Sequence, residues 1–386
     1  MKLNVLQVIL LLCLIPISTV WGQENYKEKD TKFDFQNENF YEVKMYSSDE
    51  LKFKKKPKNV ILLIGDGMGV SQVFAGITAN KGQLNLLNFK NIGFSKTQSA
   101  NNYVTDSAAG GTALSSGVKT KNGAIGVDPE GNPVETILEI AEKNDKVTGL
   151  VSTSAITHAT PASFIAHQLK RKMYEEIAAD FLKTDIDVFI GGGKDFFDAR
   201  KDKRDLTKEL EDKGYQMYYD IDDAANVTSG KLGVLTAAAH NPDFSERGEL
   251  LVKSTEKAIQ ILSNSDKGFF LMVEGSQIDW GGHQNNTSYV TGEMLDFDKT
   301  IGEVLEFAVK DKETLVIVTA DHETGGMALL KSDMDKGFVK AAYATGGHTG
   351  VMVPVFAIGP GAEEFTGIYE NTEVFEKMLK AFGFEK

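Results

Sequence analysis

Cysteine is almost missing from this chain. The one residue of its kind in 386, Cys13, falls in the first apolar stretch. A disulfide framework and a thiolate zinc site are therefore excluded for everything downstream. Any zinc must be held by imidazole and carboxylate. Histidine is scarce too, at six residues, so the placement of each is informative. Basic residues are outnumbered, 42 against 55 acidic, for a net charge of −13. That balance argues against general affinity for nucleic acid or an anionic membrane. No apolar run is long enough to span a bilayer. No Pro- or Ser-rich linker divides residues 59–384, and no internal repeat is visible.

What remains is ordinary for a soluble protein with a large core: 41% hydrophobic and 25% charged residues. Residues 1–22 read as a secretory signal. Lys2 gives the positive start, Val8 to Ile15 the short apolar run, and Val20-Trp21-Gly22 a cleavage site. A membrane anchor would be longer, and a lipoprotein signal would carry small residues where Leu10, Leu11 and Leu12 precede Cys13. Export to the periplasm or the medium is expected. Residues 23–57 are polar and lysine-rich, with Phe33, Phe35, Phe40 and Tyr41, and read as a linker or a surface arm. Residues 58–386 read as a single catalytic domain.

Within that domain apolar runs alternate with helical patterns. Asn59 to Ile64, Lys146 to Thr153, Asp187 to Ile190, Phe269 to Val273 and Leu315 to Thr319 read as buried strands, and Val351 to Ile358 as the last strand. Helices are expected over Val70 to Asn80, Pro133 to Asn144, Ser163 to Lys172, Lys201 to Gly214, Glu246 to Asn264, Thr287 to Lys310 and Phe375 to Phe382. The fold class is α/β, a doubly wound and mostly parallel central sheet with helices on both faces. Such sheets bind ligands at the carboxyl ends of their strands.

Those ends are where the reactive residues fall. Asp66 sits between glycines after the first strand, where an Asp could equally be a helix cap. Ser107 lies in Val104-Thr105-Asp106-Ser107-Ala108-Ala109-Gly110-Gly111-Thr112. A helix starting there would turn its positive end toward an anion. Taken alone, that run is also a common tight turn. Asp279 and His283 are four residues apart, so on a helix they point the same way and can chelate one ion. Glu274, the pair Asp321-His322, and the Gly-cushioned His348 complete a set of hard and borderline metal ligands. His158 and Thr160 alternate at a strand end. Arg171 could clamp phosphate or sit on the surface. His167 reads as structural, and His240 carries no assignment.

The ordered set Gly65-Asp66-Gly67-Met68-Gly69, Thr105-Asp106-Ser107-Ala108, His158-Ala159-Thr160-Pro161-Ala162, Glu274…Asp279…His283, Asp321-His322-Glu323-Thr324-Gly325-Gly326 and Gly346-Gly347-His348 resembles the alkaline phosphatase family. The likeness runs from about Lys58 to the C-terminus, in the family's order. It implies a trinuclear site: Asp279, His283 and His348 on a first zinc, and Asp66, Asp321 and His322 on a second beside Ser107. Asp66, Thr160 and Glu274 would hold a third ion, usually magnesium, with His158 near it where some members carry Asp. Arg171 falls at the phosphate-clamping arginine, and Trp280 where some members carry a basic residue that reaches phosphate. The His158 and Trp280 pairing resembles a bacterial subset rather than the enteric form. The implied activity is hydrolysis of small phosphate monoesters through a phosphoserine on Ser107, by a homodimer. The alternatives are a two-metal phosphodiesterase and an exported zinc- or phosphate-binding protein without turnover.

Overall fold

A computed structural model describes residues 30–384. The secretory stretch 1–22 lies outside the described residues. In chain order the strands are β1 (Asp34–Gln36), β2 (Asn59–Gly65), β3 (Asn91–Lys96), β4 (Val147–Ala155), β5 (Val188–Gly192), β6 (Gln216–Tyr218), β7 (Leu232–Leu235), β8 (Phe269–Gly275), β9 (Thr314–Thr319), β10 (Glu323–Thr324), β11 (Met327–Leu329), β12 (Phe338–Tyr343), β13 (His348–Thr349), β14 (Val353–Ile358) and β15 (Gly367–Glu370).

Ten of them form one sheet in the order β15-β3-β14-β9-β2-β8-β4-β5-β7-β6. Only β14 runs antiparallel to its neighbours. The central strands β2, β8 and β9 are buried along their whole length, as their unbroken apolar runs require. Their side chains alternate between two cores. Ile61 and Leu63 of β2 pack with helices Val70–Ala79, Leu250–Leu262 and Thr287–Asp311. Val60, Leu62 and Ile64 face the other way, with helices Ser107–Ser116, Ile137–Lys143 and Thr372–Phe382. Each fully buried Leu or Ile contributes roughly 1.5–3 kcal/mol of transfer free energy. The sheet is thus held from both faces, and its central strand ends form a fixed platform.

Residues 30–57 run as an arm along the body. β1 pairs antiparallel with β12, Asn37 Nδ2 donates to the Ala79 carbonyl at 3.0 Å, and the Tyr41 hydroxyl donates to Asp298 at 2.7 Å.

Several sequence expectations need correction. The helix expected from Pro133 begins at Ile137, because Thr136 and Glu139 close a capping box that sets the first turn there. No helix spans Ser163 to Lys172. After a single turn, Ala159–Ala162, the chain is drawn against residues 123–126: Ile125 and Gln168 form a bridge, and Arg171 N–H donates to the Gly123 carbonyl at 2.7 Å. The helix expected from Glu246 is broken at Gly248, whose φ of +59° and ψ of −135° lie outside helical space. It becomes Phe244–Arg247 and Leu250–Leu262. The charged helix starts only at Leu206, after the Asp205 cap. β14 is not the last strand, since β15 follows and pairs with β3.

Candidate active site

Four adjacent parallel strands, β9, β2, β8 and β4, deliver their carboxyl ends to one edge. Asp321 and His322 follow β9, Asp66 follows β2, Glu274 lies at the end of β8, and His158 and Thr160 follow β4. The turn after β2 needs glycine. Gly67 has φ +74°, and a Cβ there would lie 2.7 Å from Asp279 Cα. That close approach brings Asp66 up to the helix Gln277–Gln284, which carries Asp279 and His283 on successive turns. His348 arrives from β13, paired with β10 in the register Thr324↔His348, two residues past His322.

Ser107 is the first residue of helix Ser107–Ser116, capped by the Asp106 carboxylate, which accepts from Ala109 N–H at 3.0 Å. Its Oγ lies 3.2 Å from His322 Nε2. Around it the ligand atoms of Asp279, His283 and His348 lie within 4.8 Å of one another. So do those of Asp66, Asp279 and His322, and those of Asp66, His158 and Glu274. Asp321 Oδ2 is 3.1 Å from His322 Nε2, and Thr160 Oγ1 is 3.4 Å from Asp66 Oδ2. Asp66 and Asp279 each join two groups, so the three are one continuous cluster. Two imidazoles are oriented from behind by backbone. His283 Nδ1 meets the Gly346 carbonyl at 2.8 Å and His348 Nδ1 the Thr105 carbonyl at 2.9 Å, which leaves both Nε2 atoms facing Asp279.

The donor set fits divalent cations. Asp66 Oδ1 and Glu274 Oε1 are buried and lack a hydrogen-bond partner, although buried polar atoms normally have one. Burial, then the Asp321 and Asp279 charges, pushes the Asp66 carboxyl well above its usual range. Burial pushes Glu274 up to about 7, against the hydrogen bonds of Ser152 and Ser276. Burial, then Arg171, drives His158 well below the ordinary imidazole range. Four carboxylates on so small a volume cannot all carry charge without a positive partner.

Arg171 reaches this cluster from its extended segment. Nη1 donates to Asp106 Oδ2 at 3.1 Å, and Nη2 lies 3.2 Å from His158 Nε2. It lines a cavity of about 440 Å³ with Ser107, Asp279, His283 and His348. Asn102, Asn122 and Lys172 also line it. They carry no motif, and sequence reasoning missed them. Trp280 is not on that wall. It is buried and packs edge-on against His158, ring centres 6.2 Å apart. His240, unassigned from sequence, packs against both.

His167 stands apart, bridging the Gly126 carbonyl at 2.6 Å and Glu139 at 3.1 Å. Burial lowers its affinity for a proton, but Glu139 outweighs burial and raises it overall; Glu139 in turn is lowered by His167 despite its own burial. A raised histidine stabilises below its unfolded value and loses that contribution as pH rises through its folded value. His167→Ala should therefore cost about 1–2 kcal/mol near pH 6 and less at pH 9. Urea melts at the two pH values measure this, and kcat should not change.

The alkaline phosphatase family model matches residues 57–337. Alkaline phosphatase 4 of Bacillus subtilis (strain 168) is 36% identical, over 85% of this chain and 90% of its own. The solved alkaline phosphatase of the Antarctic bacterium TAB5 is 48% identical, with a TM-score of 0.82, over 86% of this chain and 100% of that one. Variants of that enzyme with a histidine changed to glutamate or aspartate were solved with magnesium in the M3 site. A shared sheet, a capped serine among three ligand groups and a match over well over half the chain lead to one assignment: this chain belongs to the alkaline phosphatase family.

Proposed function

We propose that this chain hydrolyses small phosphate monoesters to alcohol and inorganic phosphate through a phosphoserine on Ser107. The observation that carries the reading is one cavity lined by Ser107, Arg171 and the Asp279, His283 and His348 ligand group, with the other two ligand groups joined to it through Asp279 and Asp66. Asp279, His283 and His348 would hold one zinc, and Asp66, Asp321 and His322 a second. Asp66, Thr160 and Glu274, with His158 beside them, would hold magnesium, which suits their oxygen-rich donors. Bound cations there would neutralise phosphoryl oxygens, acidify a coordinated hydroxyl and stabilise the leaving oxygen.

The chain's own residues do the rest. Ser107 Oγ forms a bond to phosphorus while the ester P–O bond breaks in line and the alcohol leaves. Water then attacks phosphorus, breaks the Ser107 Oγ–P bond and releases phosphate. Asp106 and His158 fix the Arg171 guanidinium, whose planar N–H groups match two phosphoryl oxygens. The positive end of helix Ser107–Ser116 faces the same anion. A cavity that reads mainly phosphate fits broad specificity. The secretory reading of residues 1–22 supports export, and among the described residues no helix is long and apolar enough to cross a membrane. A homodimer is what membership of the family suggests.

The test compares p-nitrophenyl phosphate, its bis-ester and p-nitrophenyl sulfate. The monoester should lead by about a thousandfold or more in kcat/KM. Equal or faster diester cleavage would replace this reading with a phosphodiesterase, and no turnover at all with a binding protein. Arg171→Ala should weaken inorganic phosphate binding about tenfold to a hundredfold, the worth of a charge-assisted pair. Product inhibition measures it directly.

A further inference from the structure

Three rings interlock behind the Arg171 contact. His158 and His240 have centres 5.4 Å apart at 90°, His240 and Trp280 4.9 Å apart at 80°, and His158 and Trp280 6.2 Å apart at 89°. Perpendicular packing of this kind favours a definite ring orientation. His158 is the member that touches the reaction machinery, through Arg171 Nη2 at 3.2 Å.

His240 is locked into this trio from outside. Ala155 N–H donates to its Nδ1 at 3.0 Å, so that nitrogen holds the lone pair and the neutral ring carries its proton on Nε2. Ala155 ends β4, three residues before His158. The loop of His240 is pinned on two further sides. Gly193 and Lys194 N–H donate to the Ala237 carbonyl, and Asp195 N–H to that of Ala238. Gln277, on the helix that carries Asp279 and Trp280, donates to the Asn241 carbonyl at 2.9 Å. Gly192 lets this loop close in, since a Cβ there would run into the Ala239 carbonyl.

We infer that His240 is a positioning residue for phosphate binding. Its ring wedges His158 and Trp280 at right angles, and His158 so held sets the Arg171 guanidinium. The inference rests on the phosphomonoesterase reading above. His240 does not line the cavity; its ring packs on His158, which in turn meets the Arg171 guanidinium.

Two substitutions separate the ring from its anchor. His240→Asn keeps an acceptor for Ala155 N–H and removes the ring. His240→Phe keeps the ring and removes the acceptor. The chain has two tryptophans, Trp21 and Trp280, so a full-length, cation-loaded protein carrying Trp21→Phe reports the trio by fluorescence. His240→Asn should raise the inhibition constant for inorganic phosphate about five- to tenfold and shift Trp280 emission, with little loss of melting temperature. His240→Phe should keep that constant within about twofold while the melting temperature falls, because a buried N–H loses its partner. Unchanged phosphate inhibition in His240→Asn overturns the inference. So does loss of phosphate affinity in both variants in proportion to melting temperature. A parent protein inactive on p-nitrophenyl phosphate would sink the functional reading itself, whereas an active parent with an unaffected His240→Asn sinks only this step.

Discussion

Ser107→Ala should abolish nearly all turnover of p-nitrophenyl phosphate, by about a thousandfold or more in kcat, while leaving fold and bound metal nearly intact. The alanine removes one oxygen. It stands at the first position of helix Ser107–Ser116, where alanine is a good helix former and the Asp106 cap is untouched. The ligand groups lose no carboxylate or imidazole. Without a covalent acceptor, hydrolysis would have to proceed by direct attack of water, for which the cavity offers positioning and charge but no side-chain nucleophile. Metal analysis beside the activity assay separates the explanations. Near-normal turnover with full metal would reject Ser107 as nucleophile. Lost turnover with lost metal would make it a ligand first.

Much of this site was legible because its residues occupy positions with little structural use. Asp66, Asp321 and His322 follow buried strands, where an unpartnered charge is costly, so their presence there called for a ligand. The i, i+4 spacing of Asp279 and His283 gave the right helix, Gln277–Gln284. The sharing of Asp279 between two groups was not legible. It depends on Gly67 letting the turn after β2 approach that helix, a contact between segments some 200 residues apart in sequence. Arg171 was found by its place in the motif order, yet its segment was misread as a helix. Local pattern favoured a helix there, and pairing with residues 123–126 overrode it. His240 has no motif at all. Its role comes from ring contacts with His158 and Trp280, which no spacing encodes. The short strands β10, β13 and β15 were missed for the same reason, since runs of two to four residues take their structure from their partners.

Removing the cations should have the other large effect, on stability as well as turnover. Asp66, Glu274, Asp279 and Asp321 are all at most 3% exposed. With chelator, Asp66 and Glu274 are left buried among like charges, with Asp66 held well above its usual range and Glu274 near 7. Turnover should fall below about 1% of its starting value, and the melting temperature should drop by about 5–10 °C, the scale expected for losing tightly bound ligands. Adding zinc and magnesium back should restore both. A carboxyl raised in the folded state binds protons more tightly than in the unfolded chain, so the contribution of Asp66 and Glu274 to the stripped protein's stability should fall as pH climbs from about 4 through 7, while the lowered His158 and His348 act in the opposite direction below about 6.5. Asp66→Asn supplies the decisive contrast. In the stripped protein it removes one repelled carboxylate, so its melting temperature at pH 8 should equal or exceed the parent's. In the cation-loaded protein it removes a donor common to two ligand groups, so stability and turnover should both fall. Calorimetry of parent and variant, with and without chelator, gives the four melting temperatures. If Asp66→Asn shifts them in the same direction under both conditions, the carboxylates are not held together by bound cations, and the cluster is structural.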